Sequence, residues 1–117
     1  MKLETISLMP ENPQRAVEFF TKICGLSIVK KIKNENIDIK FLAQSIGETS
    51  IEIVDTGENK EADLSGLSLI FKKDRDFEDL RKDIKDLGYK ASDIIDMPPK
   101  PKFIKAQGPC GICIEFI

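Results

Sequence analysis

Two short segments of the chain place a glutamate inside an apolar strand pattern. Segments 50–54 (SIEIV) and 113–117 (CIEFI) have the two-residue alternation of a β-strand, with Glu52 and Glu115 at their centres. A carboxylate among hydrophobic side chains is costly to remove from water unless it has a partner or faces a cavity. In such a cavity it could attract a cation or accept hydrogen bonds from a ligand. Glu52 and Glu115 are therefore the candidate chemical groups of this chain.

The two glutamates belong to an internal repeat. Their offset is 115 − 52 = 63 residues, and other residue types recur at the same offset. The matched positions are Thr5 and Ser68, Ile6 and Leu69, Leu8 and Phe71, Gly25 and Gly88, Phe41 and Ile104, Ala43 and Ala106, and Gln44 and Gln107. The sequence thus predicts two copies of one module, each carrying one strand glutamate.

Hydrophobic periodicity predicts a strand, a helix and three further strands in each module. In the first module we expect strands over 3–9, 26–32, 37–45 and 49–55, and a helix over 13–24 that begins with an Asn-Pro signal. In the second we expect strands over 66–72, 90–95, 103–107 and 112–117, and a helix that starts after Asp74 or Asp76 and stops at Gly88. The proline-rich stretch 97–101 is predicted to be a loop or an edge.

A two-residue turn at Gly47-Glu48 would fix the register of the first hairpin. It would place Ala43 opposite Glu52 and Phe41 opposite Val54. The chain is predicted to be a single α+β domain over 1–117, with module one at 1–56, a linker at 57–65 and module two at 66–117.

Composition narrows the classes of function. The net charge of −2 leaves no basic excess for nucleic acid, and no apolar run approaches the roughly 20 residues of a membrane span. Three cysteines, an odd number, indicate reduced thiols and a cytoplasmic location. The chain has no histidine, which removes the commonest general base and metal ligand.

The strand pattern separates an apolar sheet face, which the helices would cover, from a mixed face. The mixed face also includes Ser50, Val54 and Ile104, and it is either the solvent side of an antiparallel sheet or a ligand cup. The predicted residues of that cup are Thr5, Ser7, Phe41, Glu52, Ser68, Ile70, Cys113 and Glu115.

Four segments carry a resemblance to a known family: 3–8 (LETISL), 16–26 (AVEFFTKICGL), 49–54 (TSIEIV) and 108–116 (GPCGICIEF). Together they resemble the vicinal oxygen chelate superfamily, which includes glyoxalases, bleomycin-resistance proteins and extradiol dioxygenases. The resemblance implies two tandem βαβββ modules that form a curved mixed-sheet cup, and it implies a homodimer.

The resemblance also implies where a metal would bind. In metal-using members, each module offers a histidine or glutamine from its first strand and a glutamate from its last strand. Glu52 and Glu115 fill the glutamate positions here, whereas Thr5 and Ser68 stand at the histidine positions. A neutral hydroxyl is a poor ligand for a transition metal. We therefore expect no cofactor, with a divalent metal on Glu52 and Glu115 as the alternative.

The Cys110-x-x-Cys113 pair is weak evidence for chemistry. A single pair without histidine falls short of a zinc site, and it sits at a turn into a strand, away from any helix N-terminus that would activate a thiol. We interpret it as structural, with an improvised metal site that uses Cys113 as the minor alternative.

Three functions remain open from the sequence. The favoured one is a metal-free protein that binds or sequesters a small molecule. The alternative is a metal-dependent lyase, isomerase or dioxygenase using Glu52 and Glu115, with Gln44, Gln107 or Cys113 as further ligands, although both glutamines are expected on the helix side. The third is a subunit or regulator without a small-molecule role.

Overall fold

The computed structural model describes residues 1–60 and 62–117. The chain divides into two compact units, Met1–Ala62 and Asp63–Ile117, so the boundary lies within the predicted linker 57–65. Residue 61 of that linker lies outside the described residues. In the described part of the chain, no helix has the length and hydrophobicity needed to cross a membrane.

The first unit contains one mixed sheet and one helix. Its elements are β1 (Thr5–Leu8), α1 (Pro13–Lys22), β2 (Ser27–Lys33), β3 (Asp38–Ala43) and β4 (Ser50–Asp55). The strand order is β1-β4-β3-β2, with β1 parallel to β4 and the remaining pairs antiparallel. The predicted order of elements is confirmed in this unit, and the strand ends lie within two residues of the predicted ends.

Helix α1 forms where the sequence places its start signal. The Asn12 side chain accepts a hydrogen bond from the Arg15 backbone N–H, and Pro13 occupies the first helical position. The helix ends at Lys22 instead of residue 24, and Gly25 takes the left-handed backbone with φ of +70°. Its buried face packs against β3 and β4.

The β3–β4 hairpin has a different register from the predicted one. Phe41 lies opposite Glu52 and Ile39 opposite Val54, so the expected pairing of Ala43 with Glu52 is wrong. The cause is the connection, which spans 44–49 and contains a Glu48 N–H to Ser45 carbonyl bond in place of a two-residue turn. Since the shift is two residues, every side chain keeps its predicted face.

The second unit contains a smaller mixed sheet and one helix. Its elements are β5 (Ser68–Phe71), α2 (Phe77–Asp86), β6 (Ile104–Gln107), a 3₁₀ turn (Pro109–Gly111) and β7 (Cys113–Phe116). The strand order is β5-β7-β6, with β5 parallel to β7. Asp76, one of the two predicted caps, accepts a hydrogen bond from the Asp79 N–H, and the buried Leu80 and Ile84 lie on the face of α2 that packs on β6.

Residues 90–95 do not form the predicted strand. Their pairing with the β6 region consists of isolated bridges, Ala91 with Ala106 and Ile95 with Phe103. Between these bridges the Ser92 hydroxyl accepts the Lys105 backbone N–H at 2.8 Å, while the Ser92 carbonyl accepts a bond from the Arg81 side chain. The hydroxyl thus takes the place that a backbone carbonyl would have in a regular ladder.

The β6–β7 hairpin is one residue shorter than its counterpart in the first unit. Glu52 pairs with Phe41, a separation of 52 − 41 = 11, and Glu115 pairs with Lys105, a separation of 115 − 105 = 10. A one-residue shift moves every side chain of a strand to the other face. Ile104 is therefore buried on the helix side, and Gln107 lies on the glutamate side. Both were predicted on the opposite faces, and both predictions are wrong.

Candidate functional site

In the first unit, the sheet face opposite α1 carries a row of four side chains across the strands. Ser7 is the register partner of Glu52, Glu52 of Phe41, and Phe41 of Lys30. We call this surface, with Thr5 and Ser50, the Glu52 face. The Glu52 carboxylate is half-buried, and residues 1–60 and 62–117 offer it no hydrogen-bond or ion-pair partner. The Lys30 ammonium is directed instead to the Phe41 ring, 5.4 Å from its centroid.

Thr5, at one of the two expected histidine positions, is engaged within the sheet. Its hydroxyl lies 2.9 Å from the Ser50 hydroxyl, and Ser50 is only 7% exposed. The two residues are partners in the parallel β1–β4 pair, which explains why their side chains meet. Thr5 therefore serves the pairing of β1 with β4.

In the second unit, two rows of side chains lie on the sheet face that carries Glu115. One row joins Ile70, Glu115 and Lys105, and the other joins Ser68, Cys113 and Gln107. We call these six residues the Glu115 face. Ser68 and Ile70 are exposed, and Cys113 is half-buried, whereas Glu115 is only 6% exposed. Of the predicted cup residues, the structure brings Ser68, Ile70, Cys113 and Glu115 together on this surface, and it adds Lys105 and Gln107.

Glu115 has an ion-pair partner that the sequence analysis missed. Lys100, from the proline-rich loop, places its ammonium 3.1 Å from Glu115 Oε2 and 4.3 Å from the centroid of the Phe103 ring. The Lys100 side chain is 43% exposed, and the Glu115 side chain is 8% exposed. Lys100 lies 15 residues before Glu115, and the sequence around it gives no local signal of this contact. The buried carboxylate is thereby satisfied.

The side chains at the four expected metal positions, Thr5, Glu52, Ser68 and Glu115, fit a divalent transition metal poorly. The two hydroxyls at the expected histidine positions are weak ligands, and an ammonium already neutralises Glu115. Among the described residues, no group of three or more cysteine, aspartate or glutamate side chains is placed to hold a metal ion. We derive no chemistry through a metal from this geometry.

The Cys110-x-x-Cys113 pair lacks the features of a redox motif. Cys110 lies within the 3₁₀ turn with a left-handed φ of +59°, and Cys113 begins β7. Both are free thiols. Burial raises the pKa of the Cys110 thiol, which disfavours the reactive thiolate.

Alkylation should reveal this raised pKa directly. In a Cys24→Ser/Cys113→Ser variant, we expect the rate of Cys110 reaction with iodoacetamide to rise with pH along a curve whose midpoint lies above the usual value of about 8.5. The same variant in denaturant provides the control. A folded-state midpoint at or below the denatured one would contradict the structural interpretation of this pair.

Comparison of the sequence with models of known protein families gives a match. The model of the Glyoxalase/Bleomycin resistance protein/Dioxygenase superfamily matches residues 2–116. No curated protein matches the chain.

Solved structures share the fold at low identity. The antibiotic binding protein TnmS3 from Streptomyces sp. CB03234 is 15% identical, with a TM-score of 0.71 over 99% of this chain and 93% of that one. The trypanothione-dependent glyoxalase I of Leishmania major is 16% identical, with a TM-score of 0.74 over 100% of this chain and 86% of that one. A glyoxylase/bleomycin resistance protein/dioxygenase domain from Frankia sp. EAN1pec is 13% identical, with a TM-score of 0.75 over 99% and 95%.

The family match covers almost the whole chain, and the order of strands and helices agrees with the implied βαβββ module in the first unit and, apart from the strand expected at 90–95, in the second. The chain belongs to the glyoxalase/bleomycin resistance protein/dioxygenase superfamily.

Proposed function

We propose that this chain is a small-molecule-binding protein that holds a ligand on a glutamate-bearing sheet face without a metal ion. The observation that carries the proposal is the contact between the Lys100 ammonium and Glu115. The family resemblance implies that Glu115 would be a metal ligand. Its charge, however, is already balanced by the Lys100 side chain of the same unit. A metal would have to displace the lysine, and the other donors on that face are the Ser68 hydroxyl, the Cys113 thiol and the Gln107 amide, which form a mixed set that fits a transition metal poorly.

The Glu52 face supplies the groups that a ligand site needs. Glu52 offers an acceptor without a described partner, Ser7 offers an exposed hydroxyl, and Phe41 offers a half-buried aromatic surface. A few convergent polar groups beside an apolar wall are typical of small-molecule sites. TnmS3, described as an antibiotic binding protein, has the same fold, which supports a binding role. A homodimer and a cytoplasmic location remain part of this proposal.

Metal analysis separates this function from its enzymatic alternative. Protein purified without a chelator should contain zinc, nickel, iron and manganese far below one per chain, and a chelator should leave its melting temperature unchanged. A stoichiometric metal that the chelator removes, with a fall in melting temperature, would instead favour a metal-dependent lyase, isomerase or dioxygenase that uses Glu52 and Glu115.

A ligand screen by thermal shift tests the binding role itself. Compounds that carry a hydrogen-bond donor beside an aromatic or aliphatic body should raise the melting temperature. The affinity of such a compound for a Glu52→Gln variant should fall about tenfold, because a charge-assisted hydrogen bond is lost. A Glu48→Gln variant, altered in an exposed loop residue, is the matched control. A broad screen without hits would favour the subunit or regulator function.

A further inference from the structure

Two lysine ammonium groups lie against the same aromatic ring beside the Glu115 face. Lys100 is 4.3 Å and Lys105 is 6.0 Å from the centroid of Phe103. The ring belongs to a residue that is only 2% exposed, so it gives both ammonium groups a well-ordered surface to pack on. The cation–π contacts with this buried ring restrict the positions of the two ammonium groups.

The carboxylate on this face neutralises only one of the two cations. Glu115 Oε2 accepts from Lys100 at 3.1 Å, and within the described residues Lys105 has no carboxylate within ion-pair distance. The three groups therefore leave one positive charge, although the chain as a whole has a net charge of −2.

The Lys100 ammonium is positioned by these contacts and remains accessible to a ligand. An ammonium has three donors, and the Glu115 contact uses one of them. Its side chain is 43% exposed, so further donors can reach a ligand. Ile70, which is 56% exposed, and the exposed Gln107 lie on the same face. The surface thus combines pre-positioned positive charge with an apolar residue and an amide.

We propose that the Glu115 face binds a small molecule through its anionic group, which is a carboxylate or a phosphonate. Lys100 is the anchoring cation, and Lys105 is the second cation that contacts the anionic group. Glu115 is a positioning residue that orients Lys100 for this role. The assignment rests on the proposed small-molecule function and narrows its ligand class. It gives Lys100 a binding role in addition to its pairing with a buried carboxylate.

Matched fragments test the charge preference. Benzoate, phenylphosphonate and neutral benzamide would be titrated into the full chain, with binding followed by NMR. At least one of the two anions should bind about fivefold more tightly than benzamide, and that advantage should shrink as salt is added. The two anions distinguish between a carboxylate and a phosphonate ligand.

Variants test the assignment to Lys100. Lys100→Met should abolish the preference for the anion. Lys100→Met/Glu115→Gln should abolish it as well, although this pair of changes leaves the local net charge unaltered and removes the unpaired buried carboxylate. Lys82→Met, which removes the same charge from an exposed residue of α2 paired with Asp86, should keep the preference.

Three results would overturn the inference. They are equal binding of benzamide and both anions, an anion preference that survives in the double variant, and no detectable binding of either anion. If the anion preference fails while other compounds bind in the thermal-shift screen, the small-molecule function stands. If that screen also finds nothing, the proposed function fails with it.

Discussion

Replacing Lys100 by methionine is expected to lower the free energy of unfolding by about 2 kcal/mol at neutral pH. The change leaves the Glu115 carboxylate, whose side chain is 8% exposed, without its counter-ion. Breaking a fully buried pair costs more, but Lys100 is 43% exposed, so solvent screens part of the interaction. Urea denaturation at constant pH provides the measurement.

A double-mutant cycle isolates the pair. Glu115→Gln should cost less than Lys100→Met, because the half-exposed ammonium left behind stays solvated while a stranded carboxylate does not. The double variant should be more stable than Lys100→Met alone, with a coupling energy of about 1 kcal/mol or more. Strictly additive effects would mean that the ammonium does not stabilise the buried carboxylate, and they would remove the main support for a metal-free site.

Replacing Gly108 by alanine is expected to lower the free energy of unfolding by about 2 kcal/mol. A Cβ at this position would lie 2.9 Å from Cγ1 of Ile114, a side chain that is fully buried in the core of the second unit. Neither atom can move without disturbing the packing of β7. Thermal and urea unfolding of the variant would measure the cost.

Gly66 provides the matched control for Gly108. A Cβ there meets nothing within 4 Å, so Gly66→Ala should be neutral or slightly stabilising. Gly108→Asp should cost more than Gly108→Ala, because it adds a carboxylate to a buried position. Equal stabilities of the Gly66→Ala and Gly108→Ala variants would contradict the packing described for this turn.

The features that could be predicted are those encoded by neighbouring residues. The two-residue alternation around Glu52 and Glu115 identified β4 and β7 and their apolar faces, because successive side chains of a strand point to opposite sides. The Asn12-Pro13 start signal located α1, and the candidate caps Asp74 and Asp76 located α2, because a cap acts on backbone groups within one turn; Asp76 is the cap that forms. The family resemblance followed from the same segments, and the family match confirms it.

The register of β6 could not be predicted from the repeat. The offset of 63 residues holds for Glu52 and Glu115, but 105 − 41 = 64 relates the two residues that pair with them. Strand register depends on the length and conformation of the connection, which alternation within a strand does not encode. As a result, Lys105 and Gln107 face the glutamate side, where the equivalent positions of the first unit hold Phe41 and Ala43.

The sequence by itself determined the two helices and the two strand glutamates, because these features depend on short-range patterns of burial and capping. The tertiary structure decided which groups surround each glutamate. It left Glu52 beside a hydroxyl and an aromatic ring, and it brought Lys100 from a proline-rich loop to Glu115. Such a contact depends on how the chain folds back on itself. The attraction between two charges acts through space, so it produces no periodic pattern in the sequence.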